Sequence, residues 1–498
     1  MNETTTNMTD RQRLQTLAVE AMKARGLEPQ FPAQALAEVA AVPGPPTRAE
    51  EPVRDLRSLL WCSIDNDDSR DLDQLSVAVP LSGGSVRILV AIADVDTVVH
   101  KDGAVDRHAS VNTTSVYTPA IIFPMLPERL STDITSLAAG QDRLSIVIDM
   151  TCSADGQLSD GSVYGALVRN QAKLAYRSVG AWLDGQGPLP QAAAAVGGMD
   201  DQLRIQDTVA RALGERRHEH GALDFETLEA SAEFDGDALR ELNPERPNRA
   251  KRLIENLMVA ANGVTARFLE ARGWPSLRRV VKTPERWDRI VALAAQSGDA
   301  LPSAPDAPAL AAFLARRKAA DPDGFVDLSH AVIKLLGRGE YTVDRPGSDG
   351  PGHFALAVKD YTHATAPNRR FPDLITQRLL KAALAGHQTP YAPDELDQLA
   401  DRCTKQEDAA NKVERQLRKS AAALLVASRV GQQFDALVTG VTPKGTFVRV
   451  VSPPLEGLLR GADHRVDVGD SVRARLVDVD VDRGYIDFVL VSDRSKHG

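Results

Sequence analysis

Residues 63–74, Ser-Ile-Asp-Asn-Asp-Asp-Ser-Arg-Asp-Leu-Asp-Gln, constrain this chain more than any other stretch. Five carboxylates, on Asp65, Asp67, Asp68, Asp71 and Asp73, fall within nine residues directly before the apolar run 75–79. Carboxylates this close repel one another, so a fold built on them must leave them in water or supply a counter-charge. A divalent cation bound through oxygen ligands is the simplest counter-charge. A calcium loop of the EF-hand type is excluded. Asp65, Asp67 and Ser69 suit its first, third and fifth positions, but Arg70 stands where glycine is needed and Ser76 where the bidentate glutamate belongs. Two readings remain at this point: a solvated acidic turn capping a strand, or a site for a hard cation.

The rest of the chain bounds the setting. At 498 residues it is long enough for two to four domains with substantial cores. No apolar run approaches membrane-spanning length, and the polar residues 1–9 lack the apolar centre of a signal peptide, so a cytoplasmic protein without a membrane is expected. Cys62, Cys152 and Cys403 stand too far apart for a zinc pattern or a disulfide framework and read as small packed residues in a reducing compartment. A net charge of −9 argues against a non-specific coat protein for nucleic acid, although a basic channel can be local on an acidic exterior.

Hydrophobic spacing predicts helices over 10–25 and 32–41, then a connector over 42–52 with four prolines. From 55 to 427 the chain reads as one large α/β domain. Strands are predicted at 75–80, 86–94, 145–152, 158–168 and 225–234. Helices are predicted at 173–183, 199–218, 249–272, 371–385 and 393–427, with 111–136 irregular and 296–309 a loop. Beyond 432 the pattern changes to short alternating strands at 436–441, 446–451, 471–479 and 484–489, separated by glycine-containing turns. That spacing predicts a barrel of the OB type. The expected architecture is therefore mixed α/β (α+β) in three parts: an N-terminal helical segment and linker (1–50), a catalytic-type domain (55–427) and a C-terminal OB-fold barrel (430–492).

Several strings point the same way. Asp65, then five residues, then Asp71-Leu72-Asp73 before a strand resembles the first motif of the ribonuclease II/R (RNB-domain) exoribonuclease family. The family motif ends in an Asp-Asp pair, whereas here the second member is Gln74. Val90-Ala91-Ile92-Ala93-Asp94-Val95 resembles the strand that follows. Ser115-Val116-Tyr117-Thr118-Pro119 with Phe123-Pro124-Met125-Leu126-Pro127 resembles the proline-rich signature. Lys173-Leu174-Ala175-Tyr176, Gly221-Ala222-Leu223-Asp224-Phe225, the helix around Asn256, the segment Tyr361-Thr362-His363 through Asn368-Arg369-Arg370-Phe371-Pro372-Asp373, and Lys412-Val413-Glu414-Arg415 follow in family order. Gly440, Gly445-Thr446-Phe447-Val448 and Glu456-Gly457-Leu458 resemble an S1-type RNA-binding domain. About sixty residues precede Asp65, which leaves no room for the tandem cold-shock barrels of typical members.

The resemblance implies a 3′→5′ exoribonuclease that degrades single-stranded RNA processively to nucleoside 5′-monophosphates, with Mg²⁺ or Mn²⁺ as cofactor. It assigns metal binding and water activation to Asp65, Asp71 and Asp73, with Gln74 as a neutral fourth ligand that weakens the metal or shifts preference toward Mn²⁺. Asp67 and Asp68 fall between motif positions. Arg369 matches the arginine set on the scissile phosphate, where a guanidinium fork binds bidentately. Arg370 reads as an outer phosphate or structural contact, and Ala366 and Asn368 depart from the family pattern around it. Tyr176 matches an aromatic that stacks near the 3′ end, and Phe447 is the aromatic on the barrel face that would stack on RNA. Val281-Lys282-Thr283-Pro284 carries no second stacking ring, which implies a one-sided base clamp. Glu414 and Arg415 line the product end or pair on a helix surface. Single-stranded RNA is the expected partner and a monomer the expected state; no protein partner is legible. Two other readings stay open: an RNA-holding protein of the same fold silenced at Gln74, and a small-molecule phosphohydrolase, against which the barrel argues.

Overall fold

Strands of Val, Ile and Leu with little polar alternation need cover on both faces. The computed structural model of this chain describes residues 8–46, 52–226, 229–245, 248–322, 324–348, 350–442, 445–450, 452–462 and 466–493. In it, three such strands, Gln74–Pro80, Val86–Ala93 and Asp142–Cys152, run antiparallel at the centre of a seven-stranded sheet. Leu158–Arg169 and then Arg54–Asp55 extend the sheet on one side, and Cys62–Asp65 and then Ala172–Ala175 extend it on the other. Only the two outermost pairings are parallel. The helix Arg249–Glu270 packs across the sheet with Leu253, Leu257, Ala261 and Val264 buried. Gly161 admits it: a Cβ there would sit 2.7 Å from a Val264 methyl carbon. Asn248 starts this helix by accepting the Lys251 N–H at 2.8 Å.

Both the sheet and the helices 10–25, 199–218, 249–272, 371–385 and 393–427 appear close to their expected bounds, as Asp10–Ala24, Met199–Glu219, Arg249–Glu270, Phe371–Ala385 and Pro393–Val426. The predicted helix 173–183 is corrected. It opens as the strand Ala172–Ala175, because ladder hydrogen bonds to Cys62–Asp65 outweigh local preference, and turns helical only at Tyr176–Leu183. Residues 111–136 are more ordered than expected, holding the end of the helix Ala104–Asn112, a small hairpin (Val116–Tyr117 with Ile122–Phe123) and a π-helical turn, Arg129–Ile134. The expected strand 225–234 pairs as Glu229–Asp235 with Ala238–Glu245; residues 227 and 228 lie outside the described residues. Three further helices, Trp287–Gln296, Ala307–Ala320 and Phe325–Leu336, gather around their own small core of Trp287, Phe313 and Phe325.

At the C-terminal end Gln433–Thr442, Gly445–Val450, Leu455–Arg460, Tyr485–Asp493 and Ser471–Asp480 close a five-stranded barrel in that spatial order. The barrel does not hang free. One continuous core joins Leu14, Ala18 and Met22 of the N-terminal helix, Leu417 and Val426 of the long helix, and Phe434 and Phe488 of the barrel. Arg449 adds a two-pronged ion pair to Asp327, at 2.8 and 3.0 Å. Among the described residues no helix is long and apolar enough to cross a membrane.

Candidate active site

Parallel pairing at the sheet edge sets the first part of the site. Cys62–Asp65 lies in register beside Ala172–Ala175, so Asp65 stands opposite Ala175 and Tyr176 follows at the same end. The acidic loop then returns through Asp71 and Asp73 into the strand Gln74–Pro80. Backbone contacts pin it there. Ser136 Oγ accepts the Leu72 N–H and donates to the Arg70 carbonyl, the Leu137 N–H reaches the Leu72 carbonyl, and the Ala93 N–H reaches that of Asp73.

The second part arrives from residues 361–373. Asp373, fully buried in the first turn of the helix Phe371–Ala385, takes the N–H groups of Thr365 and Ala366 at 2.8 Å and the Arg370 guanidinium at 2.7 Å on one oxygen. Asn368 accepts the Thr135 hydroxyl at 2.5 Å. Thr114 and the Ser115 N–H hold the Arg369 carbonyl. These bonds tie down the loop around Ala366 and Asn368, while Asn368 Nδ2, Arg370 Nε and Asp373 Oδ2 are buried without a hydrogen-bond partner among the described residues. Arg370 serves this loop through Asp373.

The two parts meet at Asp73. This carboxylate is 2% exposed and accepts the Asn368 N–H at 2.8 Å and Arg369 Nε at 3.1 Å. Burial pushes it up to about 7, against the pull of Arg369 and the Asn368 N–H and with the help of Asp71. Burial also raises Asp71, Arg369 opposing and Asp65 adding to the rise. For Arg369 burial works against the charge, but Asp73, Tyr117 and Asp65 outweigh it and hold its pKa above the usual arginine range. The Arg369 side chain still keeps 40% of its surface open. A guanidinium surrounded by protein yet this accessible lies in the wall of an open cleft.

Two tyrosines border the same charges. Burial raises Tyr176, with Asp65 adding and Arg369 opposing. Burial raises Tyr117 to about 12, with Arg369 opposing and Asp71 and Asp73 adding. Tyr117 is 42% exposed as a residue, so its ring meets the cleft while its hydroxyl is surrounded. Its backbone N–H is held by Glu414 at 2.9 Å. Tyr117 belongs to the proline-rich signature, yet nothing along the chain marks it out from its motif neighbours. Tyr117 is a second ring beside these charges, and Glu414 anchors its backbone.

The structure thus brings together Asp65, Asp71, Asp73, Arg369 and Tyr176. It does not bring the three aspartates into one cage. Among the described residues, no group of three or more His, Cys, Asp or Glu is arranged to hold a metal ion. One oxygen of Asp73 faces the Asn368 N–H and the other the Arg369 guanidinium. Gln74 is buried and opens the strand opposite Ile92, and its amide makes no hydrogen bond among the described residues. Phe447 lies apart on the barrel, 37% exposed.

Residues 53–386 match the RNB domain. The chain belongs to the RNB-domain family. Residues 432–491 match the RNase II-type exonuclease C-terminal S1 domain, so the barrel is the S1 domain of this family. Ribonuclease R of Vibrio parahaemolyticus is 30% identical over 483 residues, which cover 89% of this chain and 56% of that protein. The chain therefore spans little more than half the length of that relative. RNase R of Mycoplasma genitalium, solved in complex with ribose methylated single-stranded RNA, aligns with a TM-score of 0.84 at 22% identity, covering 97% of this chain and 78% of the other. Yeast Ssd1, a pseudonuclease, aligns with a TM-score of 0.69 at 18% identity over 87% of this chain and 54% of its own. One fold carries both a ribonuclease and a pseudonuclease, so the chemistry of an RNB chain has to be argued from its side chains.

Proposed function

We propose that this RNB chain is a metal-dependent exoribonuclease. It removes nucleotides from the 3′ end of single-stranded RNA processively, releasing nucleoside 5′-monophosphates, and acts as a cytoplasmic monomer. The observation that carries this reading is the Asp73–Arg369 pair in an open cleft bordered by Asp65, Asp71, Tyr117 and Tyr176.

The donor set fits Mg²⁺ or Mn²⁺. Two carboxylates, completed by waters and substrate phosphate oxygens, are an ordinary magnesium set, and no His or Cys competes for a softer ion. Asp65 and Asp71 would hold the ion, with the Gln74 amide oxygen as a neutral addition. When bound, it supplies an activated water and neutralises charge on the phosphate. Asp73 orients Arg369, whose free N–H groups grip the non-bridging oxygens of the terminal linkage. Water oxygen joins phosphorus, the bond to the 3′ oxygen of the preceding nucleotide breaks, and the shortened strand keeps a 3′ hydroxyl. Tyr117 and Tyr176 stay protonated at neutral pH and offer their rings to the terminal bases. Phe447 stacks on the strand farther upstream, along the S1 barrel.

A second reading, an RNA-holding protein with a silent site, is favoured by Gln74 and by the burial of Asp73. Incubating the protein with 5′-labelled oligo(A) and Mg²⁺ or Mn²⁺ separates the two. A descending ladder of 3′-shortened products is expected; retarded but intact RNA would leave only the second reading.

A further inference from the structure

Residues 8–46 lie outside both the RNB domain and the S1 domain, yet they reach the loop that carries Arg369. Their contact point is Glu28, just after the helix Asp10–Ala24. The Asn112 side chain accepts the Glu28 N–H at 2.8 Å and donates to the Glu28 carbonyl at 2.8 Å. Asn112 is 2% exposed, so its amide is shielded from water and spends both of its functions on this one residue. Two neighbours reinforce the joint. Phe31 lies against the His108 ring, with centroids 4.6 Å apart. Gln406 of the long helix donates to the carbonyls of Gly26 and Val111, at 3.3 and 2.6 Å.

Asn112 ends the helix Ala104–Asn112, and Thr113 caps it in the left-handed region at φ +58°. The Thr113 N–H closes the cap on the Ala109 carbonyl at 2.7 Å. Glycine or asparagine is usual in such a cap, and a β-branched side chain is strained there. A residue of this kind keeps its backbone only where contacts on both sides over-determine it. On one side stands Asn112 with its grip on Glu28. On the other, Thr114 bridges Arg370 in an antiparallel pair. The Phe371 N–H reaches the Thr113 carbonyl at 2.8 Å, and the Ser115 N–H reaches the Arg369 carbonyl at 2.9 Å. Thr114 Oγ1 adds a bond of 3.3 Å to that same carbonyl. The strained residue thus stands between the N-terminal segment and the backbone from which the Arg369 guanidinium reaches Asp73.

We propose that Asn112, locked onto the backbone of Glu28, is a positioning residue for Arg369, which makes the N-terminal segment part of the catalytic apparatus. The lock holds Thr113 left-handed. Thr113 and Ser115 then hold the backbone of residues 369–371, and that backbone fixes where the guanidinium meets the phosphate. Without the lock Thr113 relaxes toward negative φ, which turns its carbonyl away from the Phe371 N–H and loosens the pair at Arg369. A shift of about 1 Å at the guanidinium is enough to spoil a bidentate grip on a reacting phosphate. The proposal deepens the exoribonuclease reading above and rests on it.

The test uses the full chain, well below its thermal midpoint. Asn112→Ala should slow single-turnover shortening of oligo(A) with Mg²⁺ by about 10- to 100-fold, while affinity for oligo(A) in EDTA changes little. Adding Thr113→Gly removes the left-handed strain and should recover most of that loss. In an Arg369→Lys background Asn112→Ala should add little, because the group it positions is already gone. A wild-type rate in Asn112→Ala would overturn the proposal. So would a full, multiplicative loss beside Arg369→Lys, or a loss that Thr113→Gly leaves untouched. Should Asn112→Ala not fold, Glu28→Pro deletes one N–H of the pair at an exposed residue and carries the same three expectations. Hydrogen exchange of peptides spanning 113–117 and 369–371 reads the lock without turnover: both should exchange faster in Asn112→Ala and slow again with Thr113→Gly. If the wild type leaves oligo(A) intact, the catalytic reading fails and exchange alone decides. Faster exchange at 369–371 then upholds the positioning of Arg369 by the N-terminal segment, and unchanged exchange overturns it.

Discussion

A carboxylate with 2% of its surface exposed persists in a fold only where hydrogen bonds replace water. Asp73 meets that condition through one backbone N–H and one guanidinium, and the same two bonds aim Arg369 across the cleft. Asp73→Asn keeps the shape but sets an amide donor against donors. Turnover of oligo(A) in single-turnover kinetics should fall at least ~10²-fold, with RNA affinity nearly unchanged. A comparable loss of affinity would mean that Asp73 only shapes the RNA channel. Gln74→Asp restores a charge beside the proposed metal ligands. It should lower the half-activating Mg²⁺ concentration on the order of tenfold, read from a metal titration of activity. An unchanged titration would remove Gln74 from the ligand set. The aspartate spacing was legible along the chain, and so was the candidate arginine. Their bond was not, because it joins positions 296 residues apart.

At the scale of elements, what matters is how edges meet. The parallel ladder between Cys62–Asp65 and Ala172–Ala175 delivers Asp65 and Tyr176 to one end of the sheet. Helical spacing over 173–183 hid that ladder, since a four-residue strand carries too little periodicity to announce itself. The close approach of the barrel's last turn to the long helix depends likewise on one residue, Gly484. Gly484→Ala would add a left-handed penalty and a clash with helix backbone, together about 2–4 kcal/mol. The urea midpoint should drop accordingly. A variant of unchanged stability would show that the turn can lift off the helix.

Across the whole molecule, residues 353–373 are packed among strand, helix and loop from distant parts of the chain. His353, Tyr361, His363 and Tyr341 follow one another in edge-on ring contacts, and the Tyr341 hydroxyl lies 2.8 Å from His363 Nδ1. Burial lowers both histidines, aided by Arg279 at His353 and by Arg370 and Arg279 at His363, and His353 falls to about 4. The unfolded His353 takes up its proton near 6.5, and the folded one only near 4. Above pH 6.5 both forms are neutral and nothing is lost. Between 6.5 and 4 only the unfolded state is protonated, so folding loses stability as pH falls, by about 3 kcal/mol for this residue. The raised carboxyl of Asp73 works the other way over this range, so the share of His353 is read as the wild-type urea midpoint minus that of His353→Gln at pH 7.5, 6 and 5, and this difference should decline in that order. A difference that rises or stays level toward pH 5 would contradict a neutral His353.

The linear chain settled what neighbours along it can encode: the crowding of aspartates before an apolar strand, the long amphipathic helices, the turn-punctuated barrel, and an ordered set of motifs that point to the family. Tertiary structure alone decided that Asp73 answers to Arg369. It also decided that Tyr117 faces the cleft on the support of Glu414, and that Asn112 pairs with the backbone of Glu28, 84 residues before it. Periodicity and spacing act over a few residues. A buried charge takes whichever partner the packed core leaves within reach, and that is known only once the chain has closed.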